Sequence, residues 1–169
     1  GNFLKRLIFD EILSTFLINS KIRKTIKKFK KEKKIFNDDF SNNIKKELNY
    51  ELTNDQTNAL SEINKDLKSE EKMFRLLQGD VGSGKTIIAL ISCFNVVNSG
   101  YQVAFMAPTE ILAYQHYKLA QSLLKDKIKI AFLTSETDHT ERKKIITDVE
   151  ANNIKILFGT HSVFLEKIT

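Results

Sequence analysis

From Phe3 to about Phe36, apolar residues recur at three- and four-residue steps: Leu4, Leu7, Ile8, Ile12 and Phe16, then Ile22, Ile26 and Phe29. That spacing predicts amphipathic helix, either one long rod or two that meet near Asn19-Ser20. Its apolar stripe needs cover, so it should dock on the domain that follows. Asn37-Asp38-Asp39 ends the pattern, and a short helix is expected over Asn42–Leu48. Thr53-Asn54-Asp55-Gln56 fits a capping box, in which Thr53 caps the helix and Gln56 reaches back. It opens a helix to about Lys68, with Leu60, Ile63 and Leu67 facing inward.

Strand and helix patterns then alternate. Strand Phe74–Gln78 leads to helix Lys85–Ser99, stopped by Gly100, and strand Gln102–Ala107 leads to helix Ile111–Lys125. Strand Ile128–Leu133 leads to helix Thr140–Asn152, and strand Lys155–Phe158 to a helical turn at Ser162–Lys167. This order predicts an α/β fold with a parallel sheet and helices on both faces. Ligands of such sheets bind beyond the carboxyl ends of the strands.

Composition narrows the picture a little. The 169 residues are 41% hydrophobic, enough for one core, and contain no apolar run long enough to span a membrane. Cys93 is the only cysteine, which suits a reducing cytoplasm, and its place on a predicted helix reads as a small core residue. The three histidines lie far apart without cysteine neighbours, so a zinc site is not expected. The net charge of +6 permits a polyanionic partner. Much of it is concentrated in Lys21, Arg23, Lys24, Lys27, Lys28, Lys30, Lys31, Lys33 and Lys34, opposed only by Glu32. That run reads either as a solvated helix face or as a contact to a DNA backbone.

The most specific chemistry lies in Gly79-Asp80-Val81-Gly82-Ser83-Gly84-Lys85-Thr86, which fits G-x-x-x-x-G-K-[ST]. Glycines let the backbone curl so that successive N–H groups face a polyphosphate, and the following helix presents its positive end. Lys85 can reach the β- and γ-phosphates, and the Thr86 hydroxyl can sit on Mg²⁺. A nucleoside triphosphate site is therefore expected.

Residues 75–86, Arg-Leu-Leu-Gln-Gly-Asp-Val-Gly-Ser-Gly-Lys-Thr, resemble motif I of the RecG family of ATP-dependent DNA helicases, within helicase superfamily 2. Residues 106–117, from Met106-Ala107-Pro108-Thr109-Glu110 to Tyr117, resemble that family's motif Ia. Phe158-Gly159-Thr160-His161-Ser162 is similar to its motif Ib region. Residues 6–11 resemble the segment joining the family's wedge domain to its motor, and residues 52–56 resemble its adenine-reading element.

The resemblance implies an incomplete RecA-like P-loop lobe over residues 50–169, the N-terminal part of a first helicase lobe. Residues 1–49 would be a Lys-rich helical linker from the wedge side. ATP and Mg²⁺ would be held by Gln56, Gly79, Asp80, Val81, Gly82, Ser83, Gly84, Lys85 and Thr86, with Lys85 and Thr86 catalytic. Gln56 would read adenine, a role compatible with closing its capping box. Pro108, Thr109, Glu110, Gln115, Thr160 and His161 would follow a DNA track, although Thr109 could equally cap its helix without any DNA. The whole protein would remodel stalled forks and Holliday junctions in recombination and repair, as a monomer in the bacterial cytoplasm, associated with the nucleoid. Two other readings are a translocase like the transcription-repair coupling factor and a non-motor P-loop NTPase. Ala107-Pro108-Thr109-Glu110 argues against the last.

Two departures stand out. Where the family has Thr-Gly-Ser after the third strand, this chain has Thr134-Ser135-Glu136, which removes easy access to positive φ and adds a negative charge. The sequence also ends at Thr169, before an Asp-Glu-x-His motif. On its own this piece is expected to bind nucleotide weakly, to hydrolyse it at no useful rate, and to leave sheet edges bare.

Overall fold

A computed structural model of the chain describes residues 13, 17, 18, 20–22, 24, 25, 30–36, 39–125, 127–161 and 163. The segment at residues 6–11, most of the first apolar stripe and most of the terminal helical turn lie outside the described residues. The described elements run α1 (Asp39–Lys46), α2 (Asn54–Lys68), α3 (Lys85–Asn98), β1 (Val103–Ala107), α4 (Glu110–Leu124), β2 (Ile130–Leu133), α5 (His139–Glu150) and β3 (Ile156–Thr160).

The sheet is parallel, in the order β1-β3-β2. Its register sets Phe105 beside Phe158 and Phe158 beside Phe132. Because side chains alternate across a strand, all three rings emerge on one face. Phe105 stacks on Phe158 at 5.1 Å between centroids, and Tyr117 of α4 lies 5.8 Å from both Phe132 and Phe158. This face meets α4, and the core continues into α3 and α2 through Ile88, Leu90, Ile91, Phe94, Leu60 and Ile63. Cys93 packs against that core, and burial pushes its thiol up to about 12, as a structural cysteine should behave. The opposite face is thinner: α5 contributes no buried residue, and Met106 of β1 is 52% exposed.

Two expectations fail. The helix expected to reach Phe36 does not: residues 31–36 are not helical, and Lys30 forms an isolated antiparallel bridge with Glu71. The physical reason is the carboxyl end of α2, whose last carbonyls lack partners within the helix. The Lys31 ammonium donates to the carbonyls of Leu67 and Ser69 at 2.8 and 2.6 Å, and the Lys31 N–H donates to that of Glu70 at 2.8 Å. Lys34 lies over the Tyr101 ring, and Lys30 and Lys33 face Glu70. Part of the basic run thus docks on the protein itself, which neither expectation for it anticipated. Docking is by this segment and by buried Phe36, while Leu17, Ile18 and Ile22 are exposed.

The predicted strand Phe74–Gln78 is not a strand either. No described strand lies beside it to complete a ladder, and without one an extended segment has no backbone partners to keep it regular. Phe74 and Leu76 are exposed. Arg75 anchors the segment instead, donating through Nε to Asp66 at 2.8 Å and through Nη1 to Glu62 at 2.5 Å. Those two carboxylates raise its pKa.

Candidate functional site

The Gly-rich loop leads directly into α3, with Gly84 as the N-cap. Gly82 and Gly84 have φ of +83° and +82°, a left-handed conformation that side chains disfavour. No side chain caps this helix end, so its positive pole is left to a ligand. The loop closes around its own lysine. The Lys85 ammonium donates to the carbonyls of Gly79 and Asp80 at 2.6 and 2.5 Å, and it lies 3.4 Å from Ser83 Oγ. Ser83 N–H donates to the Asp80 carbonyl at 3.2 Å. Thr86 sits half-buried in the first turn of α3, and Val81 is fully exposed at the loop's tip.

Gln56 reaches this loop from the start of α2. Its capping box forms as predicted: Gln56 N–H donates to Thr53 Oγ1 at 3.2 Å, and Thr53 N–H donates to Gln56 Oε1 at 3.0 Å. The other end of the same amide donates from Nε2 to the Ser83 carbonyl at 2.9 Å. A Cβ on Gly84 would come within 2.3 Å of that nitrogen. Gln56 therefore ties the α2 cap to the Gly-rich loop, and one hydrogen on Nε2 and one lone pair on Oε1 remain for a ligand.

The second group gathers at the carboxyl ends of the strands. Ala107 pairs with Thr160, and Leu133 pairs with Gly159. Pro108, Thr109, His161 and Ser135 consequently leave the sheet at the same end. Thr109 caps α4, its hydroxyl accepting from Leu112 N–H at 3.3 Å. Glu110 Oε1 accepts from both the N–H and the hydroxyl of Ser135, at 3.0 and 2.9 Å. Thr160 is buried, whereas Pro108, Gln115 and His161 are exposed. The Thr134-Ser135-Glu136 turn needs no glycine, because none of its residues has positive φ. Thr137 Oγ1 accepts from Thr134 N–H at 2.9 Å, and Thr134 Oγ1 accepts from Glu136 N–H at 3.2 Å.

Sequence reasoning missed the roles of Arg75, Ser135 and Lys31. Arg75 finds its carboxylates 9 and 13 residues upstream, and Ser135 finds Glu110 25 residues away. No local pattern carries such pairs.

A parallel α/β sheet, a glycine-rich loop with two left-handed residues, and a helix opening on its lysine together define a P-loop lobe of RecA-like type. The chain belongs to the DEAD/DEAH box helicase family, which matches over residues 53–169. It is 42% identical over 165 residues to the ATP-dependent DNA helicase RecG of Aquifex aeolicus (strain VF5), covering 97% of this chain and 21% of that protein. It is 38% identical over 165 residues to the RecG helicase of Thermotoga maritima, again over 97% of this chain and 21% of the relative. A solved structure of RecG bound to a three-way DNA junction superposes with a TM-score of 0.84 at 37% identity, covering 96% of this chain and 22% of that one. The chain thus spans about a fifth of the length of these relatives.

Proposed function

We propose that this chain is the ATP-binding part of the first motor lobe of a RecG-like helicase that remodels branched DNA. The observation that carries the reading is the loop at 79–86, where left-handed Gly82 and Gly84 lead into an uncapped helix start behind Lys85. A triphosphate fits that arrangement by charge and by donor set. Gly82, Ser83 and Gly84 would offer backbone N–H groups, and the Thr86 hydroxyl would hold Mg²⁺. Mg²⁺ would offset phosphate charge as it develops during transfer. Lys85 would leave the Gly79 and Asp80 carbonyls for the phosphates, and Gln56 would use its remaining amide valences on adenine. Pro108, Thr109, Gln115, Thr160 and His161 would border a nucleic-acid track at the strand ends. Glu110, committed to Ser135, would hold that edge in shape rather than bind phosphate. The similarity to RecG over 97% of the chain, together with the structural match to RecG bound to a three-way DNA junction, supports branched DNA as the substrate.

The test compares ATPase rates of the complete protein with forked DNA, with linear duplex and without DNA, using Lys85→Ala as the blank. Strong stimulation by the fork, lost in the variant, is the expected outcome. Equal stimulation by both DNAs would replace branch remodelling with general translocation. No stimulation by either would leave only a nucleotide site.

A further inference from the structure

Helices α1 and α2 each pack on α3 and leave a groove between them. One part of it has a volume of about 600 Å³ and is lined by Lys45, Lys65 and Lys68 together with Asn42, Thr57 and Ser61. No carboxylate lines it. At Lys45 and Thr57 it runs into a second hollow of about 620 Å³, which adds Lys46, the exposed ring of Tyr50 and one acid, Glu51. Lys65 and Lys68 lie one helical turn apart and face the groove from one wall, with Lys45 on the other.

Part of this charge complements helix ends, since Lys45, Lys46, Lys65 and Lys68 all fall in last turns. That does not explain why two such turns converge on one hollow from which acids are missing. The neighbouring acids are engaged elsewhere: Glu62 and Asp66 with Arg75, Glu70 with Lys30 and Lys33, and Glu47 with Lys125. Ammonium groups interspersed with hydroxyls and amides are the donor set that nucleic-acid backbones recruit, and they carry no base specificity. We infer that the α1–α2 groove binds the sugar–phosphate backbone of DNA, independently of sequence and apart from the strand-end track. This rests on the proposed reading of the protein as a DNA motor.

Salt dependence tests it directly. The variant is Lys45→Gln/Lys65→Gln in the complete protein, which leaves Lys68 on the Phe36 ring. Affinity for a linear duplex is measured from 50 to 200 mM salt, with Lys143→Gln/Lys144→Gln on α5 as control. Losing two phosphate contacts should lower the slope of log affinity against log salt by about 1.8, so wild type should lose about 12-fold more affinity over that range than the variant. ATPase without DNA should be unchanged. A wild-type slope in the variant, with duplex binding intact, overturns the groove assignment. If that unchanged slope comes with lost affinity for a poly-glutamate peptide, the groove takes an acidic protein segment instead. Failure of the wild-type protein to bind any DNA overturns the motor reading itself, and the groove assignment with it.

Discussion

Gly84→Ala should destabilise the start of α3 by about 2–4 kcal/mol, and roughly half of that should depend on a side chain 28 positions away. Two costs add. Alanine at φ +82° is in the left-handed region, at about 1–2 kcal/mol. Its Cβ would also stand 2.3 Å from Gln56 Nε2, far inside contact distance. The cheapest relief is for the Gln56 amide to swing away, because it ends a flexible side chain. That movement breaks its bonds to the Ser83 carbonyl and the Thr53 N–H, each worth about 0.5–1 kcal/mol at so open a position. A double-mutant cycle separates the two costs. In a Gln56→Ala background the clash and both bonds are already gone, so Gly84→Ala should cost only the conformational part, about 1–2 kcal/mol. Urea unfolding read through hydrogen exchange at α2 and α3 confines the measurement to this region. Equal penalties in the two backgrounds would refute the proposition that Gln56 is pressed against the loop.

Three further outcomes follow from the contacts. Glu110→Gln should lower stability by about 1 kcal/mol through its weakened hold on Ser135, and Ser135→Gly should cost less because the backbone donor survives; thermal unfolding reads both. Lys31→Met should uncap α2, at about 0.5–1 kcal/mol, and amide exchange at residues 65–70 should quicken. Asp138 caps α5, and backbone N–H groups, first that of Thr140, hold its pKa below the ordinary aspartate value. A depressed carboxylate stabilises the fold above its unfolded pKa, and that stabilisation is lost as pH falls through the folded one. Protection of the first α5 amides should therefore decline below about pH 4 in wild type and stay flat there in Asp138→Asn.

The parts of the fold legible in the sequence were those written in local contacts. The Thr53–Gln56 capping box, the helix after Lys85, strand β1 and the strand–helix alternation that makes the sheet parallel all arise from near neighbours or from one period. The helix after Gly84 starts at Lys85 as expected, whereas α4 and α5 each start one residue earlier than the apolar pattern suggests, where Thr109 and Asp138 cap them. What failed depended on distant partners. Residues 74–78 have a strand's composition, but a strand exists only where another supplies its ladder. Residues 31–36 continue a helical period, yet the open carbonyls of α2 compete successfully for the Lys31 ammonium. The candidate site divides in the same way: the glycine pattern announced the loop, and nothing local announced that Gln56 and Lys85 both bind loop carbonyls.

In this conformation Lys85 holds the carbonyls of Gly79 and Asp80, while Gln56 holds that of Ser83. Three carbonyl contacts along one loop are thus made by the two side chains assigned, in the proposed function, to the phosphates and the base. A triphosphate that engaged Lys85 would remove two of these anchors, and the single anchor left to Gln56 would bear on Ser83, beside left-handed Gly84. In the proposed reading, phosphate binding and base binding would therefore act on one short backbone segment, each altering what restrains the other. The same amide joins the loop to the α2 cap, and Arg75 joins the segment before the loop to the carboxyl-terminal half of α2. Helix α2 holds both the loop and the segment that enters it, so in the proposed reading a change at the nucleotide would reach α2 first, the helix that also forms one wall of the basic groove.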